Sequence, residues 1–211
     1  MNEYITLLNA FLPALGFLML NVLIPGPNVL NTVATSIGSS RLVGIYCAYA
    51  CGLGLLVWAI AALSGAAILF FTFPVLKLGL TLIGALLLWY FAIRYFSRAF
   101  SKRENKIDAI GMAKSLAFKR AFLIMITNPK VLTTFLAVIS LFPIVTQNFT
   151  NILLFSFLSS FASFAGHSAY AVIFSSHVAA KVYNKLYKSI NLLVGLGFLM
   201  YGGKLFLDIV S

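Results

Sequence analysis

Residues 24–30 read IPGPNVL, and they interrupt a run from Tyr4 to Ser40 that carries no Asp, Glu, Lys or Arg. Proline has no backbone N–H and its ring clashes with the preceding turn, so two prolines around a glycine should stop a helix. A run this apolar would otherwise continue as one. In lipid each unsatisfied backbone group costs several kcal/mol, so such a break is tolerated only where it faces protein or a wet cavity. The position of the break therefore decides how the chain is read.

The rest of the chain is equally apolar. Of 211 residues 62% are hydrophobic and 9% charged, whereas a soluble domain has about 25% charged residues. The mean hydropathy is +1.03. Leu42–Leu76 and Val131–Ala180 are also free of charge. A spanning helix needs about 20 apolar residues. The pattern predicts an all-α membrane protein with six transmembrane helices, at about 7–24 continuing to 37, 43–71, 75–96, 117–143 with an interruption, 151–175 and 189–209. They form one membrane domain over residues 1–211. The start, MNEY, has an acid where a cleaved leader has basic residues, so the first helix is expected to stay in place.

The net charge of +11 is explained by topology, and no nucleic-acid partner is expected. With six spans, the connections after helices 1, 3 and 5 share one side. They hold Arg41, then Arg94, Arg98, Lys102, Arg103, Lys106, Lys114, Lys119 and Arg120, then Lys181, Lys185 and Lys188, against Lys77 and Lys204 opposite. Basic connections face the cytoplasm, so both termini are expected outside. Cys47 and Cys51, four apart on one helix face, read as packing residues.

The chain also repeats itself. IPGPNVL at 24–30 matches ITNPKVL at 126–132 in Ile24/Ile126, Pro27/Pro129, Val29/Val131 and Leu30/Leu132. LIGALLLWY at 82–90 matches LVGLGFLMY at 193–201. Three helices per half is odd, so repeat two (about 115–211) enters the membrane opposite to repeat one (about 1–98), with the basic loop 97–116 between them. Inverted repeats with proline-broken helices at matching places are a plan of secondary transporters. The bare N–H groups of a half-helix starting near Asn28 suit an anion such as a carboxylate. The competing reading is a plain proline kink or a loop at the membrane edge.

An intramembrane charge is a functional candidate by default. Lys130 could pair with a substrate carboxylate, or it could bond carbonyls freed by Pro25, Pro27 or Pro129. Asn28 and Asn31 could each reach an amino or carboxyl group. Asn28 and Asn128 could equally be helix caps. No Asp or Glu sits at mid-membrane: Glu3, Glu104, Asp108 and Asp208 lie in tails, loops or helix ends. If transport is proton-coupled, His167, well inside helix 5, is the candidate; the alternative is a hydrogen-bonded core residue.

PGPNVL (25–30), SSRLVG (39–44) and TNPKVLTTF (127–135) resemble the signature of the LysE/RhtB amino-acid exporters. The likeness covers nearly the whole chain. It implies gradient-driven efflux of amino acids or close derivatives across the bacterial cytoplasmic membrane. It also assigns Pro25, Gly26, Pro27, Asn28, Asn128, Pro129 and Lys130 to the substrate site. Ser40 and Ala50 stand where the family usually has glycine, and Leu55 falls where many members have Asp or a hydroxyl residue. The last difference argues against a cationic substrate.

Other classes fit less well. The chain has no H-E-x-x-H, no paired acids and no Gly-x-Ser-x-Gly, so an enzyme is not expected, nor is any metal or cofactor. A cation or metal permease or channel would want intramembrane acids, and Lys130 would repel cations. The expected partners are a small amino acid, a coupling ion read as a proton with sodium open, and the lipid bilayer. A homodimer stays open beside a monomer.

Overall fold

The computed structural model describes residues 2–24, 26–72, 74–101, 111–175 and 177–210. Pro25 and residues 102–110 of the basic loop 97–116 lie outside the described residues, so the expectations placed on them are not addressed. Among the described residues all regular structure is helical. The elements are α1 (Asn2–Leu23), α2 (Pro27–Gly38), α3 (Arg41–Thr72), α4 (Pro74–Phe100), α5 (Lys114–Ile126), α6 (Pro129–Leu141), a 3-10 turn (Pro143–Thr146), α7 (Phe149–Ile173) and α8 (His177–Val210).

Two helices, α3 over Arg41–Ala66 and α7, are long and apolar enough to cross a membrane. The bent pairs α1–α2 and α5–α6 raise that to four if each is one span, with bends of 56° and 51°. Among the described residues α4 and α8, expected as the third and sixth spans, do not add to this number. The breaks fall where the prolines predict them. Pro27 and Pro129 open α2 and α6, at the first helical turn, where a missing N–H leaves no bond unmade.

The last helix begins earlier than hydropathy suggests, at 177 instead of 189. The segment AAKVYNKLYK (179–188) has no Gly or Pro, and a helix needs only backbone propensity to continue, not apolarity. Lys181, Lys185 and Lys188 are exposed on these first turns, at a spacing that puts them on one helix face.

Two helix pairs make the most extensive interfaces, α3 with α7 and α4 with α8. Small residues bring α3 close to its neighbours. Cys47, Ala48, Ala50, Cys51 and Ala59 are all fully buried, and both cysteines are free. At Gly52 a Cβ would come within 3.2 Å of the Ser160 carbonyl oxygen, and Ser160 Oγ donates to the Gly52 carbonyl at 2.9 Å. Between α4 and α8, Gly195 seats the Phe96 ring and Gly202 seats Trp89. The core centres on Phe11, Leu18, Leu63, Phe135 and Phe155. The opposite faces are greasy as well: Leu53, Val57 and Ile60 on α3 and Leu154, Phe157 and Phe161 on α7 are exposed. Exposed apolar stripes of this extent are what a lipid environment covers.

The basic helix ends are brought towards each other. Ser39 Oγ accepts from the Met112 backbone N–H at 2.8 Å, joining the end of α2 to the approach to α5. Lys114 sits over the Tyr46 ring and Lys188 over Phe100.

Candidate functional site

The two helix breaks meet. A cavity of about 40 Å³ is lined by Asn21, Ile24 and Asn28 from the first break and by Asn128 and Lys130 from the second, with Leu55, Ser163 and His167 on its other walls. That is room for a few water molecules, not for an amino acid.

Lys130 spans the junction. Its Nζ donates to the carbonyl of Asn21 at 2.7 Å and to that of Ile24 at 3.3 Å. An uninterrupted helix would satisfy the Asn21 carbonyl from the N–H four residues on, but position 25 is proline. The ammonium supplies the donor that the sequence removed. Of the two readings open for Lys130, the bond to freed carbonyls is the one this conformation displays. Two of three ammonium donors are thereby used, and the side chain still borders the cavity.

The second break is closed from another direction. The Trp58 indole N–H donates to the Ile126 carbonyl at 3.1 Å. Ile24 and Ile126 are matching positions of the IPGPNVL and ITNPKVL segments, and each carbonyl accepts from outside its own broken helix. The Met125 carbonyl, deprived of a donor by Pro129, accepts from Asn128 N–H at 3.3 Å.

The two half-helix starts differ. Asn128 is the N-cap of α6, its Oδ1 accepting from the Lys130 N–H at 3.0 Å. The N-cap of α2 is Gly26, which has no side chain to offer. The Leu30 N–H bonds the Gly26 carbonyl, and Pro27 has no N–H, so the first donors of this start are those of Asn28 and Val29. Gly26 is extended, with φ −132°, and a Cβ there would lie in ordinary contact with Lys130 Nζ at 3.6 Å.

Asn28 is therefore not a cap. It lies within the first turn, its Nδ2 donating to Met125 Sδ at 3.1 Å, and its Oδ1 is buried without a partner. Asn31, one turn on, points away from the cavity, its amide 3.8 Å from Cys47 Sγ. His167 is 3% exposed. Its Nδ1 lies 2.8 Å from the Ser163 carbonyl; a carbonyl only accepts, so this nitrogen carries the proton. Nε2 is buried and unpartnered.

Sequence reasoning did not single out Asn21, Trp58 or Met125. Asn21 was findable, since a proline frees the carbonyl four residues before it. A lone indole N–H in an apolar span needs an acceptor, but which acceptor is a matter of tertiary packing. Leu55, noted above only as a departure, turns out to form a cavity wall.

Paired helix breaks around a small cavity, in a chain whose regular structure is helical throughout the described residues and whose exposed faces suit lipid, mark a membrane protein. The model of the LysE type translocator family matches residues 19–208; the chain belongs to that family. It is 26% identical over 198 residues to an uncharacterized membrane protein of Haemophilus influenzae, covering 88% of this chain and 94% of that one. It is also 26% identical over 188 residues to the leucine efflux protein of Klebsiella pneumoniae, covering 87% and 88%. A membrane protein of Pseudomonas aeruginosa is 30% identical over 120 residues, 55% of this chain and 56% of that protein. No solved structure shows a significant match.

Proposed function

We propose that the protein is a secondary transporter that exports neutral amino acids or close derivatives from the bacterial cytoplasm, driven by an ion gradient through alternating access. The observation that carries this reading is the meeting of the two proline breaks at a cavity holding Lys130 and the uncapped start of α2. The substrate carboxylate takes the third ammonium donor of Lys130 and the N–H groups of Asn28 and Val29. Asn28 Oδ1 is the acceptor for its amino group. Asn128, Pro129, Gly26, Pro27 and Pro25 shape the site, and Asn31 braces α2 from behind. The apolar Leu55 wall and the leucine efflux relative favour an uncharged side chain.

The described cavity is too small for this cargo, so the site must widen to bind it. Binding requires the half-helices to part at the breaks, where few backbone bonds resist bending. Two inverted three-segment repeats would supply that movement. Exchanging α1 with α5, α2 with α6 and α3 with α7 carries the α1–α7 contact onto α5–α3, α2–α7 onto α6–α3, and α1–α6 onto α5–α2, all of which occur, whereas α2–α3 and α4–α6 have no counterpart of similar extent. The basic helix ends would lie on the cytoplasmic side, with both termini outside. His167, with Nε2 open, is the proposed proton acceptor in coupling.

The test is efflux from cells expressing the protein and preloaded with a panel of amino-acid dipeptides. Faster export of at least one neutral amino acid is expected; unchanged efflux of every one, with the protein demonstrated in the membrane, would sink the reading. Saturable counterflow in liposomes separates a carrier from a channel.

A further inference from the structure

A second cavity, about 110 Å³, lies between α1 and α8 beside the polar one. Phe17 of α1 and Gly197 and Phe198 of α8 form its apolar walls, and the exposed Leu20 and Leu193 line it as well. Asn21 and Ile24 line both cavities, and theirs are the carbonyls that Lys130 holds. The polar anchor and the apolar hole thus share a wall.

We propose that this second cavity receives the apolar side chain of the transported amino acid while its carboxylate occupies the first, and that Gly197 sets the largest side chain accepted. The inference rests on the exporter reading and adds its selectivity element. Among the described residues Asn21 is the one polar residue in the lining, so the hole rewards burial of alkyl groups and offers little to a charged side chain. At roughly 10–15 Å³ per water-sized group, it admits the four carbons of a branched aliphatic chain. The polar cavity alone does not.

Gly197 differs from the other glycines of α8 that face a partner. A Cβ at Gly195 would lie 2.7 Å from the Phe96 ring, and one at Gly202 would lie 2.6 Å from Trp89. Those two are packing positions. A Cβ at Gly197 would meet nothing within 4 Å, although the residue borders the cavity. A methyl group there meets no neighbouring atom, and longer side chains extend from it into the hole.

The experiment uses the full-length protein in proteoliposomes, with counterflow of alanine, valine and leucine measured for the wild type, Gly197→Ala and Gly197→Leu. A methylene in an apolar pocket is worth about tenfold or more in discrimination. The wild type should favour leucine over alanine. Gly197→Leu should reduce leucine transport by about tenfold or more and leave alanine nearly unchanged. Gly197→Ala should fall between, and decides the matter if the larger variant does not reach the membrane. An unchanged leucine-to-alanine ratio in both variants overturns the proposal; a lipid tail in the cavity would give that result. A wild type that transports none of the three but exports another neutral amino acid also overturns the proposal; only failure with every amino acid removes the exporter reading itself.

Discussion

Lys130 Nζ lies 2.7 Å from the main-chain oxygen of Asn21, a residue 109 positions earlier in the chain. The contact joins two broken helices and satisfies the carbonyl that Pro25 leaves without a donor. It also ties the site to the fold, because any movement that separates the breaks must exchange this bond for another acceptor. A substrate carboxylate is such an acceptor, and substrate binding could release the clip.

Replacement of Lys130 by Ala therefore has two effects. Two partly buried carbonyls lose their partner, at about 1–3 kcal/mol each, so the thermal midpoint in detergent should fall by several degrees. Export should be abolished even well below that midpoint, with protein still in the membrane. Full export by Lys130→Ala would remove the residue from the mechanism.

Trp58→Phe keeps the aromatic bulk against α5 but deletes the donor to the Ile126 carbonyl. A loss of about 1–3 kcal/mol is expected, or roughly 2–4 °C in thermal midpoint per kcal/mol for a chain of this length. Thermal unfolding in detergent checks it. An unshifted midpoint would mean that the carbonyl is satisfied by another group.

Gly54 and Gly65 lie on the same helix but should respond differently to alanine. A Cβ at Gly54 would lie 2.6 Å from Met125 Cγ, whereas one at Gly65 meets nothing within 4 Å. Gly54→Ala must push Met125, and with it the sulfur that holds the Asn28 amide. Transport should drop by about tenfold, the equivalent of ~1.4 kcal/mol, while Gly65→Ala stays near the wild type. Equal counterflow rates for the two variants would contradict the placement of Met125 behind Asn28.

Coupling through His167 predicts a pH signature. An imidazole changes charge in the physiological range, and Nε2 is the nitrogen left to take the proton. Transport by the wild type should be stimulated by a pH gradient across the liposome. His167→Gln should retain exchange of amino acid at equal pH and lose that stimulation. If the gradient still accelerates the variant, coupling resides in another group.

The local sequence settled the helices and the places where they stop. Charge-free runs leave the backbone of a membrane chain no stable choice but a helix, and Pro27 and Pro129 end helices through their own covalent structure, whatever surrounds them. The family was readable from PGPN and NPK for the same local reason. Hydropathy failed at 177–188, where helix propensity outlasted apolarity. Tertiary structure alone decided that the two breaks face each other, that Lys130 answers Pro25, that Trp58 answers the second break, and that Asn128 caps a helix while Asn28 does not. These are pairings between donors and acceptors up to 109 residues apart, and a carbonyl stripped of its donor accepts any N–H that packing brings within hydrogen-bonding distance.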